Sequence, residues 1–204
     1  MGGASAGIVD LIIYKWSIKY RMRNYQWQPA GRLQLRLPPH PAAQRVSMNT
    51  SFDLPAGYGK VRAYAARPAQ TSGPLPVVLV VHENRGLNPH IEDIARRLAL
   101  DNFIALAPDA LFTLGGYPGD EDKARDLFGK LDQAKTREDF VASATYARGI
   151  AGGNGKLGAV GFCFGGGVVN MLATRVPELV AWRACRSMAT RCRPTRWARS
   201  SASC

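Results

Sequence analysis

From residue 60 onward the chain alternates two kinds of hydrophobic pattern. Lys60 to Ala66 sets Val61, Ala63 and Ala65 against more polar neighbours, which predicts a short strand. Pro76 to Val81 is a continuous Val-rich run, the pattern of a strand covered on both faces. Asn88 then offers an N-cap with Pro89 at the first helical position, and Ile91, Ile94, Ala95 and Leu98 fall on one face of the helix that follows. Phe103 to Ala107 is another apolar strand, closed by Pro108-Asp109. Gly115-Gly116 and Pro118-Gly119 make residues 110–122 a loop at the same sheet edge, and Asp120 to Leu131 reads as a helix. Thr136 with Asp139 resembles a capping box opening a helix through Arg148. Leu157 to Phe162 is a last strand, followed by a helix to about Thr174. Strands alternating with helices predict an α/β fold with a mostly parallel sheet.

Between that last strand and its helix lies Gly161-Phe162-Cys163-Phe164-Gly165, the form of a nucleophile elbow, a sharp strand-to-helix turn that lifts one reactive side chain above a sheet edge. Glycines two positions either side of Cys163 are what such a turn requires, because larger residues would collide with the neighbouring strand and helix. A single Cys in a glycine-rich turn is more often a small buried hydrophobe than a nucleophile. The order strand, elbow, helix favours the nucleophile. So does His82-Glu83-Asn84-Arg85-Gly86, which places polar groups at the carboxyl end of the Val-rich strand, where open α/β sheets build their sites.

The net charge of +12 on 204 residues suggests nucleic acid until it is located. Residues 1–46 carry seven Lys or Arg against Asp10, residues 181–204 carry six Arg and no acid, and residues 47–180 balance to zero. The basic character thus belongs to two flanks, and no nucleic-acid partner is expected of the middle. Ile8 to Tyr14 is too short to span a bilayer and lacks the order of a signal peptide, and Pro38-Pro39-His40-Pro41 reads as a linker. The expected organisation is a poorly ordered basic extension (1–46), a partial α/β domain (47–180) and an Arg-rich tail (181–204), in a cytoplasmic protein. Cys185, Cys192 and Cys204 show no metal-ligand spacing, so neither a metal nor another cofactor is expected.

Three segments together carry a family resemblance: Val77 to Asn88 with its His82-Glu83-Asn84-Arg85-Gly86 centre, Ala105-Leu106-Ala107-Pro108-Asp109, and Gly158 to Gly166. They resemble the dienelactone hydrolase (carboxymethylenebutenolidase-like) family of α/β hydrolases over about residues 47–180. The resemblance implies that Cys163 is the nucleophile, that Glu83 contacts it in the resting enzyme, and that the backbone N–H groups of Asn84 and Phe164 form the oxyanion hole. It implies small esters or lactones as substrates. His82 and His90 are expected to be structural, the first at a strand end and the second on a helix surface. The family's dienelactone-specific members present an Arg from the loop after Asp109 to the substrate carboxylate, and residues 110–122 hold no cation.

A nucleophile, acid, histidine triad on this fold runs in that chain order. After Cys163 the sequence has one acid, Glu178, and no His. Beyond Val180 the Arg-rich composition suits neither a strand nor a helix of a packed sheet. Ala184 to Ala189, written in one allowed set of codons and read from the third nucleotide, gives Val-Pro-Phe-Tyr-Gly, a segment typical of the family just after its elbow helix. The C-terminal part is therefore expected to be missing or frameshifted; resequencing codons 179–186 tests this, and an independently confirmed reading frame overturns it. Three classes compete: a cysteine hydrolase, a catalytically impaired fragment of one, and a basic interaction module whose binding would fall steeply with salt.

Overall fold

The alternation of side chains along the central strands decides how this chain packs. In the computed structural model, which describes residues 48–53 and 59–185, six strands form one sheet. They are β1 (Met48–Asp53), β2 (Lys60–Ala66), β3 (Leu75–Val81), β4 (Ile104–Pro108), β5 (Gly153–Phe162) and β6 (Leu179–Cys185). The helices are α1 (Pro89–Leu100), α2 (Glu121–Phe128), α3 (Gln133–Arg148) and α4 (Phe164–Arg175), with a 3₁₀ turn at Phe112–Leu114. Strand order is β1-β2-β4-β3-β5-β6; β1 and β2 are antiparallel to their neighbours, and β4, β3, β5 and β6 run parallel.

Period-two alternation sends Val77, Leu79 and Val81 of β3 into one core with Phe140 and Ala144 of α3 and Val168, Val169 and Leu172 of α4. Val78 and Val80 point the other way, onto Leu87 and onto Ile91, Ile94, Ala95 and Leu98 of α1. The continuous apolar run is therefore a strand covered on both faces, as its composition predicts. Asn88 caps α1 by accepting the Ile91 N–H at 3.1 Å, with Pro89 at the first helical position. That cap sets the start of α1 at the carboxyl edge of β3, beside Glu83.

Four expectations need correction. The strand β1 precedes those the pattern predicts, with Phe52 buried between exposed Ser51 and Asp53. The helix expected over Asp120 to Leu131 ends at Phe128, and a separate turn leads into α3. That helix starts at Gln133, because Asp132, not Thr136, accepts the N–H groups of Ala134 and Lys135 at 2.9 and 3.0 Å. Thr136 is buried inside α3, its hydroxyl donating to the Asp132 carbonyl at 2.7 Å.

The fourth concerns the end of the domain. Beyond Val180 the backbone continues as β6, in parallel register with β5 from Leu157↔Leu179 to Phe162↔Cys185. The boundary expected at 180 thus falls inside a strand. Leu179, Val180 and Trp182 are good strand formers, and β5 presents a row of backbone groups that only a neighbouring strand can pair. The flank 1–46 and the tail beyond Cys185 lie outside the described residues.

Candidate active site

Cys163 stands between β5 and α4 at φ 50° and ψ −111°, one of two non-glycine residues with positive φ among those described. A β-carbon in that region is strained, so the surroundings must enforce it. They do so through the two flanking glycines. A Cβ added to Gly161 would lie 2.0 Å from the Gly165 carbonyl oxygen, and one on Gly165 would lie 2.4 Å from the Val81 carbonyl oxygen. Only glycine lets β5, β3 and the first turn of α4 approach so closely. The result is an exposed, free Cys163 thiol at the N-terminus of a twelve-residue helix.

Register brings Glu83 to the same place. Val81 of β3 pairs with Gly161 of β5, so Glu83 and Cys163 each follow a paired position by two residues on adjacent strands. Parallel neighbours lie about 4.8 Å apart, so the two residues emerge side by side at the carboxyl edge. No hydrogen bond joins the carboxylate to the thiol. Glu83 is half-buried; burial pushes its carboxyl above the ordinary carboxylate range, the Arg85 cation pulls it back, and the Glu121 anion adds to the rise.

The N–H groups of Asn84 and Phe164 follow Glu83 and Cys163 directly, and among the described residues neither donates to a protein acceptor. Donors left open at a helix start and beside a strand end can receive a developing oxyanion.

His82 and Asp109 build the floor beneath. The fully buried His82 ring accepts the Ala110 N–H on Nε2 at 3.1 Å and donates from Nδ1 to the Glu83 carbonyl at 2.5 Å, which fixes the neutral tautomer. It is structural, as the sequence suggests. One oxygen of buried Asp109 accepts the N–H groups of Leu87 (3.3 Å) and Leu111 (3.0 Å), tying the loop after β3 to the loop after β4.

Burial holds the His82 pKa below its ordinary 6.5. The unfolded chain therefore binds this proton more readily, so its stabilising contribution is complete above about pH 6.5 and is lost as pH falls towards the folded value. The expected slope is up to about 1.4 kcal/mol per pH unit. His90 is shifted the same way and Glu83 the opposite way, so the comparison that isolates His82 is urea stability of wild type against His82→Gln from pH 7.5 to 5. A wild-type curve parallel to that of the variant would contradict the assignment.

His90 is not a helix-surface residue: it is half-buried, and its Nε2 is enclosed without a hydrogen-bond partner among the described residues. Glu178 precedes β6 at the amino edge of the sheet and pairs with Arg148, so it sits at the opposite edge from Cys163.

A polar cluster at the mouth has no counterpart in the sequence reading. Glu121, first residue of α2, accepts from the Tyr117 hydroxyl at 2.8 Å and Asn88 Nδ2 at 3.3 Å, and its other oxygen lies 3.4 Å from Arg85 Nε. Arg85 also donates to the Asn84 side chain. Burial and the bond to Glu121 push the Tyr117 hydroxyl up to about 12. Glu121 lies 36 positions from Arg85, so only the Asp120 cap, which fixes where α2 begins, hinted at this approach.

A mostly parallel sheet sandwiched by helices, with a strained, glycine-flanked turn between a central strand and its helix, defines an α/β hydrolase. The model of the dienelactone hydrolase family matches residues 61–184, and the chain belongs to that family. Over 87 residues it is 56% identical to a hydrolase fragment, YghX, of Escherichia coli K12, covering 43% of this chain and 74% of that protein. A protein of the same organism named as a carboxymethylenebutenolidase is 38% identical over 63% of this chain and 50% of its own length. The crystal structure of a dienelactone hydrolase from Klebsiella pneumoniae superposes with a TM-score of 0.58 at 32% identity, over 70% of this chain and 60% of that one. The chain thus spans about half the length of the carboxymethylenebutenolidase relatives it matches.

Proposed function

We propose that these residues form the nucleophile half of a hydrolase site for small esters or lactones. The strained, exposed Cys163 beside the half-buried Glu83 carries this reading. Glu83 takes the thiol proton and the thiolate attacks the carbonyl carbon. As the Sγ–C bond forms, the carbonyl electron pair moves onto oxygen, which the Asn84 and Phe164 N–H groups and the α4 dipole stabilise. Collapse of the adduct expels the alkoxide, which takes a proton from Glu83 and leaves a thioester on Cys163. Water then hydrolyses the thioester.

The last step is where the reading divides. Hydrolysis of the thioester needs a general base, and Glu178, at the opposite edge, cannot assist one. With no histidine among residues 164–204 to activate that water, the second reading is a site that is acylated faster than it is deacylated. Residues 1–46 and the Arg-rich tail are taken as flanks of the catalytic domain, and a cytoplasmic location remains part of this proposal. No helix among the described residues is long and apolar enough to cross a membrane.

Alkylation tests the nucleophile without requiring turnover. With iodoacetamide at neutral pH, Cys163 is expected to react faster than Cys185, Cys192 and Cys204 when each is followed by peptide mass spectrometry, and Glu83→Gln is expected to slow Cys163 selectively. An unchanged rate in Glu83→Gln removes Glu83 from the mechanism. A Cys163 no faster than the tail cysteines removes the nucleophile.

A further inference from the structure

Arg85 stands two residues after Glu83 on the same loop, and its guanidinium has three carboxylate or amide groups to choose among. It donates to the Asn84 side chain and faces Glu121 at 3.4 Å through Nε. That ion pair lacks hydrogen-bond geometry, for Arg85 Nε is buried without a hydrogen-bond partner. One oxygen of the exposed Glu121 carboxylate accepts from both the Tyr117 hydroxyl and Asn88 Nδ2, leaving the other to face Arg85. A bonded anion thus lies 3.4 Å from a guanidinium that also acts electrostatically on the Glu83 carboxylate two residues before it.

We propose that Glu121 is a positioning residue that acts through Arg85: by holding the guanidinium at the mouth of the site, it keeps the Glu83 carboxylate free to accept the Cys163 proton. This rests on Glu83 serving as the base of Cys163. An Arg85 paired directly with Glu83 would occupy both the charge and the lone pairs of that carboxylate, the arrangement that makes a carboxylate a poor proton acceptor.

The direction of the effect follows from the groups around Glu83. Arg85 on its own loop lowers its pKa, and Glu121 at the start of α2 raises it. Cys163 stands on the adjacent strand end. Farther out, His90 in the first turn of α1 feels Glu121, and His82 feels Asp109 after β4. Burial lowers the pKa of both histidines, so at pH 7 and above they are neutral and leave the balance to Arg85 and Glu121. Removing the Glu121 charge withdraws one source of the rise and also releases Arg85 onto Glu83, so the two changes add. Without Arg85, removing that charge withdraws the first contribution alone.

The test is the pH profile of Cys163 alkylation by iodoacetamide in the full chain, with Glu121→Gln, Arg85→Gln and the double variant. Glutamine at 121 keeps an acceptor for Tyr117 and Asn88. Glu121→Gln is expected to move the acid limb of the profile down by on the order of one pH unit, and Arg85→Gln is expected to move it up. In the Arg85→Gln background, Glu121→Gln should shift it by less than half as much. Equal shifts in the two backgrounds, or none, overturn the proposal. If Glu121→Gln does not fold, Arg85→Gln alone decides, since an acid limb that fails to rise is equally fatal. Glu83→Gln separates this from the parent reading: loss of the acid limb assigns it to Glu83, whereas a limb that persists overturns the base role and this proposal with it.

Discussion

Mixed with p-nitrophenyl acetate, the purified protein is expected to release a burst of p-nitrophenol stoichiometric with Cys163 and then to stop. Acylation needs a thiolate and oxyanion donors; in the proposed site these are the strained, exposed Cys163 thiol and the Asn84 and Phe164 N–H groups, which donate to no protein acceptor among the described residues. Deacylation needs an activated water, and residues 164–204 carry no histidine to serve as its base. When one member of such a unit is missing, the residual rate comes from binding and the oxyanion hole alone, on the order of 10³ to 10⁴ over water. Cys163→Ser should abolish the burst, because a hydroxyl is far less ionised than a thiol at neutral pH. Sustained hydrolysis at ordinary enzyme rates that disappears in Cys163→Ala would show that another residue supplies the base.

Replacing Gly161 by alanine is expected to produce the largest loss of stability of any single methyl in the domain. The added carbon would meet the Gly165 carbonyl oxygen at 2.0 Å and its carbon at 2.3 Å, with Val169 Cγ2 at 2.8 Å behind them. Two of the three are backbone and cannot rotate away, so β5 and α4 must separate. Overpacking costs about 1–3 kcal/mol where side chains can yield, and here the cost should exceed about 3 kcal/mol, a large share of a typical domain's stability. Gly167→Ala is the internal control. That position is exposed within α4 and a Cβ there meets nothing within 4 Å, so alanine should stabilise by roughly 0.5–1 kcal/mol. Urea midpoints that move in the same direction for both variants would contradict the packing described for the elbow.

What the sequence made legible was whatever is encoded locally. The Val-rich run, the Asn88-Pro89 start of α1 and the glycine spacing around Cys163 each state their geometry within a few residues, and each is found where its pattern places it. The start of α3 was misplaced because two capping patterns lie four residues apart; Asp132 wins by accepting two N–H groups, and Thr136 is left inside the helix. Strand β6 was obscured by the Arg-rich composition beyond Val180, which hid its few strand-forming residues, while its pairing with β5 is a non-local contact. The approach of Arg85 to Glu121 had no local signal beyond the Asp120 cap, as it follows from the path of the loop between β4 and α2.

The single oxygen of Asp109 that receives both Leu87 and Leu111 has a consequence for motion. The loop after β3 carries Glu83 and Asn84, and the loop after β4 leads toward Tyr117 and Glu121. Asp109 belongs to the second loop and holds Leu111 within it, so the Leu87 N–H is what joins the first loop to the second, and parting them would leave the buried carboxylate with one of these two donors. Tightening the loop that carries Glu83 would therefore be felt through the Asp109 side chain by the loop that leads to Glu121.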